Sequence, residues 1–335
     1  MNKFPYQFAT FQKEHISQVA GILANQSTEM RKRFPLLPSR IQDKETARIF
    51  VQALYEKSGG KGCVMLQQDE IVGFVLGYYD NNYFFGSHVW VPFGGMALPR
   101  EQPYAAWRAL YAAAGDIWIK DGILNHYLVC PAIEEWLQAC YSLSFGQEQL
   151  YAVASTKEIC AEPPLPAGIS MREVQPGDAS QLFSKAHWIA SHLNKAPVWE
   201  PVPTEHLEAI RPGYAELADD DTSTTWVALD GDEIVSYVAI YTVDIGAIHY
   251  LGSEKAAHFA AAATHPAYRQ RGIGRALFTH ILNVAHEQGY EQIFTDWRTT
   301  NLEAASYWPT FGYEAFSYRM LRRVNPIYKP FPSPD

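Results

Sequence analysis

Between His258 and Ala285 the hydrophobic period of the chain changes once. His258 to Thr264 is an unbroken run of small and apolar residues, the length of a buried strand. Pro266 supplies no ladder donor and ends it. From Ile273 the apolar positions fall at helical spacing through Ala276, Leu277, Ile281, Val284 and Ala285, and Gly289 marks a stop. Arg269, Gln270, Arg271, Gly272 and Gly274 lie between the two patterns. The order is strand, basic glycine-bearing turn, helix.

The rest of the chain alternates in the same way. The first half predicts a strand over Tyr6–Phe11, a helix over His15–Gln26, a loop over Arg31–Ser39 and a helix over Asp43–Lys57 closed by Gly59 and Gly60. Strands follow at Cys63–Gln67 and Ile71–Tyr79, joined by a turn at Gln68-Asp69-Glu70, and another over Gly86–Leu98. Helices at Pro103–Ala114 and Glu134–Ser142 flank a strand at Leu124–Val129, and Gln149–Ala154 is the last strand of this half. Lys157–Gly168, with Pro163, Pro164 and Pro166, reads as a linker. The order then restarts. A strand at Ile169–Val174 leads to a helix capped by Asp178 and running through Ile189, then a helix over Glu205–Leu217 broken or kinked at Pro212. A hairpin spans Thr225–Tyr241 about Asp230-Gly231-Asp232. After the central stretch come a strand at Gln292–Trp297, a short helix at Leu302–Tyr307 and a strand over Glu314–Val324. The proline-bearing tail from Asn325 is an extended strap or disordered.

The restart is an internal repeat. Asp69-Glu70-Ile71-Val72 returns as Asp232-Glu233-Ile234-Val235, 163 residues on. Phe145-Gly146-x-Glu148 returns as Phe311-Gly312-x-Glu314 after 166 residues, and Arg108-Ala109-Leu110 as Arg275-Ala276-Leu277 after 167. On the last offset Ala105 and Trp107 stand where the second half has Gly272 and Gly274.

With 335 residues the chain is long enough for two domains, and 47% hydrophobic against 19% charged residues places it among folded globular proteins. A net charge of −9 argues against nucleic acid as a partner. The four cysteines, Cys63, Cys130, Cys140 and Cys160, form no Cys-x-x-Cys pair, no metal set is read, and reduced, mostly buried thiols are expected. The N-terminus lacks an apolar signal core and no stretch is long enough to span a bilayer, so a cytoplasmic location is expected, with no membrane partner. The oligomeric state is not readable.

The chemistry of the central turn follows from helix physics. The first amides of a helix lack internal partners, and its dipole places partial positive charge there. Glycines keep side chains out of the way, and Arg269, Arg271 and Arg275 add charge, so the turn suits a phosphate. No Gly-Lys-Ser/Thr follows it, and the third glycine of a dinucleotide fingerprint is missing. With Arg269, Gly272 and Gly274 in the pattern Arg/Gln-x-x-Gly-x-Gly/Ala, the stretch resembles the acetyl-CoA pyrophosphate loop of the GNAT superfamily of N-acetyltransferases.

The resemblance implies an α/β (α+β) fold of two tandem GNAT-like domains, each a mixed, mostly antiparallel twisted sheet flanked by helices. Residues 1–160 are expected to be a degenerate copy without the loop, and 167–335 the acetyltransferase domain. It also implies that acetyl-CoA is the cosubstrate, held by Arg269, Gln270, Arg271, Gly272, Ile273, Gly274 and Arg275, with its pantetheine arm against the backbone of Ala262, Ala263 and Thr264 and aided by Asn301. Tight strand packing explains the alanines equally well, and Asn301 also reads as a helix cap. Asp296 ends an apolar strand where ribosomal-protein N-terminal acetyltransferases carry a glutamate base. It is therefore a candidate catalytic base, or else a strand-end carboxylate paired with Arg298 or an acceptor for backbone amides. The family's tyrosine acid, four residues before the glycine of its Gly-Phe, is replaced by Trp308, with Tyr307 beside it. The expected function is transfer of an acetyl group to a primary amine of a small molecule or peptide. The alternative is a non-catalytic acyl-CoA-binding sensor or scaffold.

Overall fold

The computed structural model describes residues 6–57, 60–99, 101, 103–157 and 161–328; Gly59, Cys160 and the tail beyond Tyr328 lie outside them. The chain opens with β1 (Gln7–Thr10), α1 (Ile16–Arg33) and α2 (Lys44–Glu56). Helix α1 runs past its expected end at Gln26 and takes in the first three residues of the expected loop, because Ser27 and Met30 extend the buried stripe of Val19, Ala20, Leu23 and Ala24. Its closing Arg31, Lys32 and Arg33 suit the negative end of the dipole. Asp43 starts α2 by accepting a hydrogen bond from the Thr46 amide at 2.6 Å. Strands β2 (Lys61–Gln67) and β3 (Glu70–Asn82) follow, joined by Gln68 and Asp69 at φ 51° and 65°.

The single strand expected over Gly86–Leu98 is two: β4 (Gly86–Val91) and β5 (Met96–Ala97). Pro92 interrupts the ladder and accepts from the Gly95 amide at 2.8 Å, so the chain turns there and β5 returns to pair with β3. Then come α3 (Pro103–Lys120), β6 (Asn125–Pro131), α4 (Glu134–Ser142) and β7 (Gly146–Ser155). Helix α3 outruns its expected end at Ala114 because Trp118 is also buried.

The second half contains β8 (Ile169–Glu173), α5 (Ala179–Lys185), α6 (His187–Leu193), α7 (Thr204–Glu216), β9 (Ser223–Asp230) and β10 (Glu233–Val243). It closes with β11 (Ser253–Thr264), α8 (Ile273–Glu287), β12 (Gln292–Arg298), α9 (Leu302–Tyr307) and β13 (Glu314–Arg323). The one helix expected from Asp178 to Ile189 divides into α5 and α6. Asp178 makes no side-chain cap to α5. Its carboxylate instead accepts from the Gln175 amide at 2.8 Å and from both terminal nitrogens of Arg172 at 2.6 and 2.9 Å. Helix α7 runs unbroken through Pro212.

Contacts divide the molecule into two compact units. One holds the described residues of Met1–Tyr151, Ile245–Leu251 and Ala315–Asp335; the other holds Ala152–Asp244 and Gly252–Glu314. In the first the strand order is β1-β2-β3-β4-β6-β13-β7, with β4 and β6 parallel and β6 and β13 antiparallel. In the second it is the end of β7, then β12-β11-β10-β9-β8, with β8 to β11 antiparallel and β11 and β12 parallel. Each sheet is mixed and mostly antiparallel with flanking helices, as the sequence implied. Residues 245–251 leave the second half of the sequence to pack in the first unit. Tyr250 is 3% exposed there. Its ring lies 4.8 Å from that of Phe50, and its hydroxyl donates to the Ile41 carbonyl at 2.6 Å and contacts Ser27 Oγ at 2.9 Å.

Candidate functional site

In the second unit the parallel ladder between β11 and β12 is short. It pairs Ala256 with Gln292, Ala257 with Ile293 and His258 with Phe294, and stops. Both strands continue, β11 to Thr264 and β12 to Arg298. The cause lies on the other edge of β11. Against β10, Phe259 opposes Ile240 and Ala261 opposes Ala239, leaving Ala260 as an extra residue in a β-bulge. A bulge bends its strand and increases the local twist. Here it follows the last parallel rung by two residues, so β11 swings away from β12 and a fork opens.

The turn after β11 leads into α8. Gly272 is the N-cap of α8 at φ 86°, ψ −9°, a left-handed conformation that favours glycine, and a Cβ there would meet only open space. Gln270 is also left-handed, at φ 60°. Gly274 is needed for a different reason: a Cβ would come within 3.2 Å of Thr264 Oγ1 and 3.6 Å of the Tyr307 hydroxyl. The first glycine therefore serves the backbone turn, and the second lets helix and strand approach. The amides of the first turn of α8 have no helical acceptors, and Gly272 leaves the space before them clear. This is a fit for an anion such as a pyrophosphate.

The arginines are anchored. Arg269 Nε donates to the Thr264 carbonyl at 3.1 Å, and its Nη1 lies 3.5 Å from Glu303, tying the turn to the end of β11. The Arg271 guanidinium sits 5.1 Å from the centre of the Tyr268 ring. Arg275 donates to Thr310 Oγ1 at 2.9 Å. Ile273 is buried at the start of α8. Thr264 Oγ1 contacts Ser236 Oγ at 2.8 Å, so its side chain lies on the α8 side, while Ala261 and Ala263 pack on the opposite face with Tyr237 and Trp188. Ala262 opposes Val238 of β10.

Asp296 and Asn301 lie at and beyond the end of β12. Asn301 is 8% exposed; its Oδ1 accepts from the Ala304 amide at 3.2 Å, capping α9, and lies 3.3 Å from His192 Nε2. Asp296 Oδ1 is 3.5 Å from His258 Nε2, an acid–imidazole pair that bridges the two strands just past their last rung. The expected partner, Arg298, is held by Glu200 of the segment between α6 and α7, with Nε to Oε2 at 2.9 Å and Nη2 to Oε1. The sequence offered no reason to join His258 to Asp296. The signal is the bulge, and nothing in an all-alanine run announces one.

Trp308 is packed edge-on against Phe259 and Phe278, with ring centroids at 4.9 and 5.0 Å, and cannot donate a proton there. Burial raises the Tyr307 phenol above its ordinary value, with Arg275 opposing, so it stays protonated at neutral pH.

Residues 189–313 match the model of the Acetyltransferase (GNAT) family. Over that stretch the chain is similar to the GNAT superfamily of acetyltransferases. It resembles the crystal structure of a GCN5-related N-acetyltransferase from Sphaerobacter thermophilus at TM-score 0.62 and 14% identity over 95% of each chain. It also resembles a tandem GNAT protein from the clavulanic acid biosynthesis pathway at TM-score 0.56 and 12% identity, covering 97% of this chain and 100% of that one. The third likeness is to a glucosamine N-acetyltransferase region of a fungal multi-domain β-N-acetylglucosaminidase, at TM-score 0.56 and 16% identity, over 94% of this chain and 38% of that one. No curated protein matches in sequence. This superfamily's fold supports acyl-CoA-dependent acetyl transfer in general. Among the described residues no helix is long and apolar enough to cross a membrane, and no group of three or more metal-ligating acids, histidines or cysteines occurs.

Proposed function

We propose that this protein is an acetyl-CoA-dependent N-acetyltransferase that acetylates a primary amine of a small molecule or peptide at the fork of the second unit. The observation that carries the reading is the bulge at Ala260, which opens β11 from β12 beside the left-handed Gly272 turn and the start of α8. In this reading the amides from Gln270 to Arg275, with Arg269 and Arg271, hold the pyrophosphate. The exposed edge of β11 at Ala262, Ala263 and Thr264 holds the pantetheine arm, with Asn301 near the opposite strand. Acetyl-CoA supplies an acetyl thioester. The chain must align the amine, remove its proton and exclude competing water. The Asp296–His258 pair provides proton acceptors at the mouth of the fork.

Residues 1–160 form, in this proposal, a copy without cofactor. Its support is Trp107, 1% exposed and packed against Tyr111, at the position of Gly274, and Pro103 at the start of α3, which has no amide hydrogen to offer. A second reading, a non-catalytic acyl-CoA-binding module, draws support from Trp308 in the tyrosine's place. A thiol-release assay with acetyl-CoA and a panel of primary amines separates the two. Amine-dependent release supports the enzyme. Saturable CoA binding with no release from any amine supports the binding module.

A further inference from the structure

We propose that His258 Nδ1 is the atom that takes the acceptor amine's proton, and that Asp296 is a positioning residue holding the ring through Nε2. The proposal rests on the acetyltransferase reading above and assigns roles within its site.

The bulge decides which side chain reaches the fork. Along β10, Tyr237, Ala239 and Tyr241 point to one face, where they pack with Leu182, Trp188 and Leu217 beneath α5 to α7. Their partners on β11 are Ala263, Ala261 and His258, because Ala260 adds a residue between the last two. In a regular strand Phe259 would occupy that third place. Instead it is turned to the other face, against Phe278 of α8 at 4.9 Å. Across the sheet, Phe294 is the rung partner of His258, and Asp296, two residues on, shares its face. Acid and imidazole therefore converge where the ladder has ended, on the side away from α8, with Nε2 and Oδ1 3.5 Å apart.

Both side chains remain open to a substrate, His258 at 42% and Asp296 at 29% exposure. Arg298 is bound by Glu200, His192 of α6 lies on Asn301, and Tyr241 is directly across β10 from His258. A carboxylate beside Nε2 favours the tautomer with hydrogen on that nitrogen and leaves the Nδ1 lone pair free. Imidazole is also the side chain that most often serves as general base near neutral pH. The geometry is looser than a formed hydrogen bond, as expected before substrate arrives.

The balance is complete with an ammonium acceptor. The nitrogen forms the amide C–N bond as the thioester C–S bond breaks. Of the two protons it sheds, one goes to His258 Nδ1 and then to solvent; the other leaves with the CoA thiol.

The test combines kinetics with nitrogen NMR of the free protein. His258→Gln should lower kcat by about 10²–10⁴-fold with KM for acetyl-CoA unchanged, and remove the acid limb of the pH–rate profile. In His258→Ala, added imidazole should restore part of the rate. Asp296→Asn should lose less kcat and keep that limb. In the wild-type ring the unprotonated nitrogen should be Nδ1, and the tautomer ratio should relax in Asp296→Asn. Full turnover in His258→Gln, or loss of the acid limb only in Asp296→Asn, overturns the assignment and returns the base to Asp296. An unprotonated Nε2 in the free protein overturns it independently of activity. Failure of wild type to acetylate any amine sinks the functional reading instead, and the ring tautomer still decides the pairing.

Discussion

Replacing Gly272 with alanine probes the cofactor turn through a strain that the structure makes calculable. Gly272 adopts φ 86°, and the space a methyl would fill is empty, so Gly272→Ala introduces no clash. What it introduces is the penalty of an L-residue in a left-handed conformation, about 1–2 kcal/mol. The chain can meet this in two ways. If the turn keeps its shape, the whole penalty appears as lost stability and CoA affinity is unchanged. If the free turn relaxes, the amides of Ile273 and Gly274 are re-aimed, and binding must restore the strained shape. Affinity then falls by about 5–30-fold and stability falls less. The two losses together should amount to about 1–2 kcal/mol. Calorimetric CoA titration and denaturant unfolding on the same preparation measure both. A variant with unaltered stability and unaltered affinity would refute the claim that this left-handed glycine shapes the cofactor site.

Gly274→Trp should abolish CoA binding, since it installs the residue of the first repeat where even a Cβ is 3.2 Å from Thr264; saturation at wild-type concentrations would place the pyrophosphate elsewhere. Titration of wild type should give one CoA per chain, and two would refute the argument from Trp107. Tyr250→Phe should cost about 1–3 kcal/mol in unfolding, because the Ile41 carbonyl and Ser27 lose a buried partner; an unchanged denaturation midpoint would contradict it. Burial lowers His126 to about 4, against the Ile123 carbonyl contact that raises it and with Arg322 adding to the fall. The unfolded chain therefore binds the extra proton between its ordinary value and about 4. Stability should be fully present above the ordinary imidazole range and decline as pH falls through that window, and His126→Gln should flatten the decline in urea titrations at pH about 7.5 and 5.

Elements whose pattern is local were legible in the sequence. The hairpin from β9 to β10 and helix α8 follow from apolar spacing bounded by Pro266, Gly231 and Gly289, because such periodicity reflects one buried face and needs no knowledge of its neighbour. The strand–turn–helix order, and with it the family resemblance, was legible for the same reason. Tertiary structure decided what depends on a partner far away. Helix α1 runs past Gln26 with Ser27 buried against the hydroxyl of Tyr250, 223 residues distant. The excursion of residues 245–251 into the first unit has no local signature, and neither has the placement of β13 beside β6. The sequence named Asp296 and could offer Arg298 as its neighbour, being two residues away. The structure puts Asp296 beside His258, because one unpaired alanine shifts a register and bends a strand, and which alanine of four is left unpaired is settled only by how β10 docks against β11.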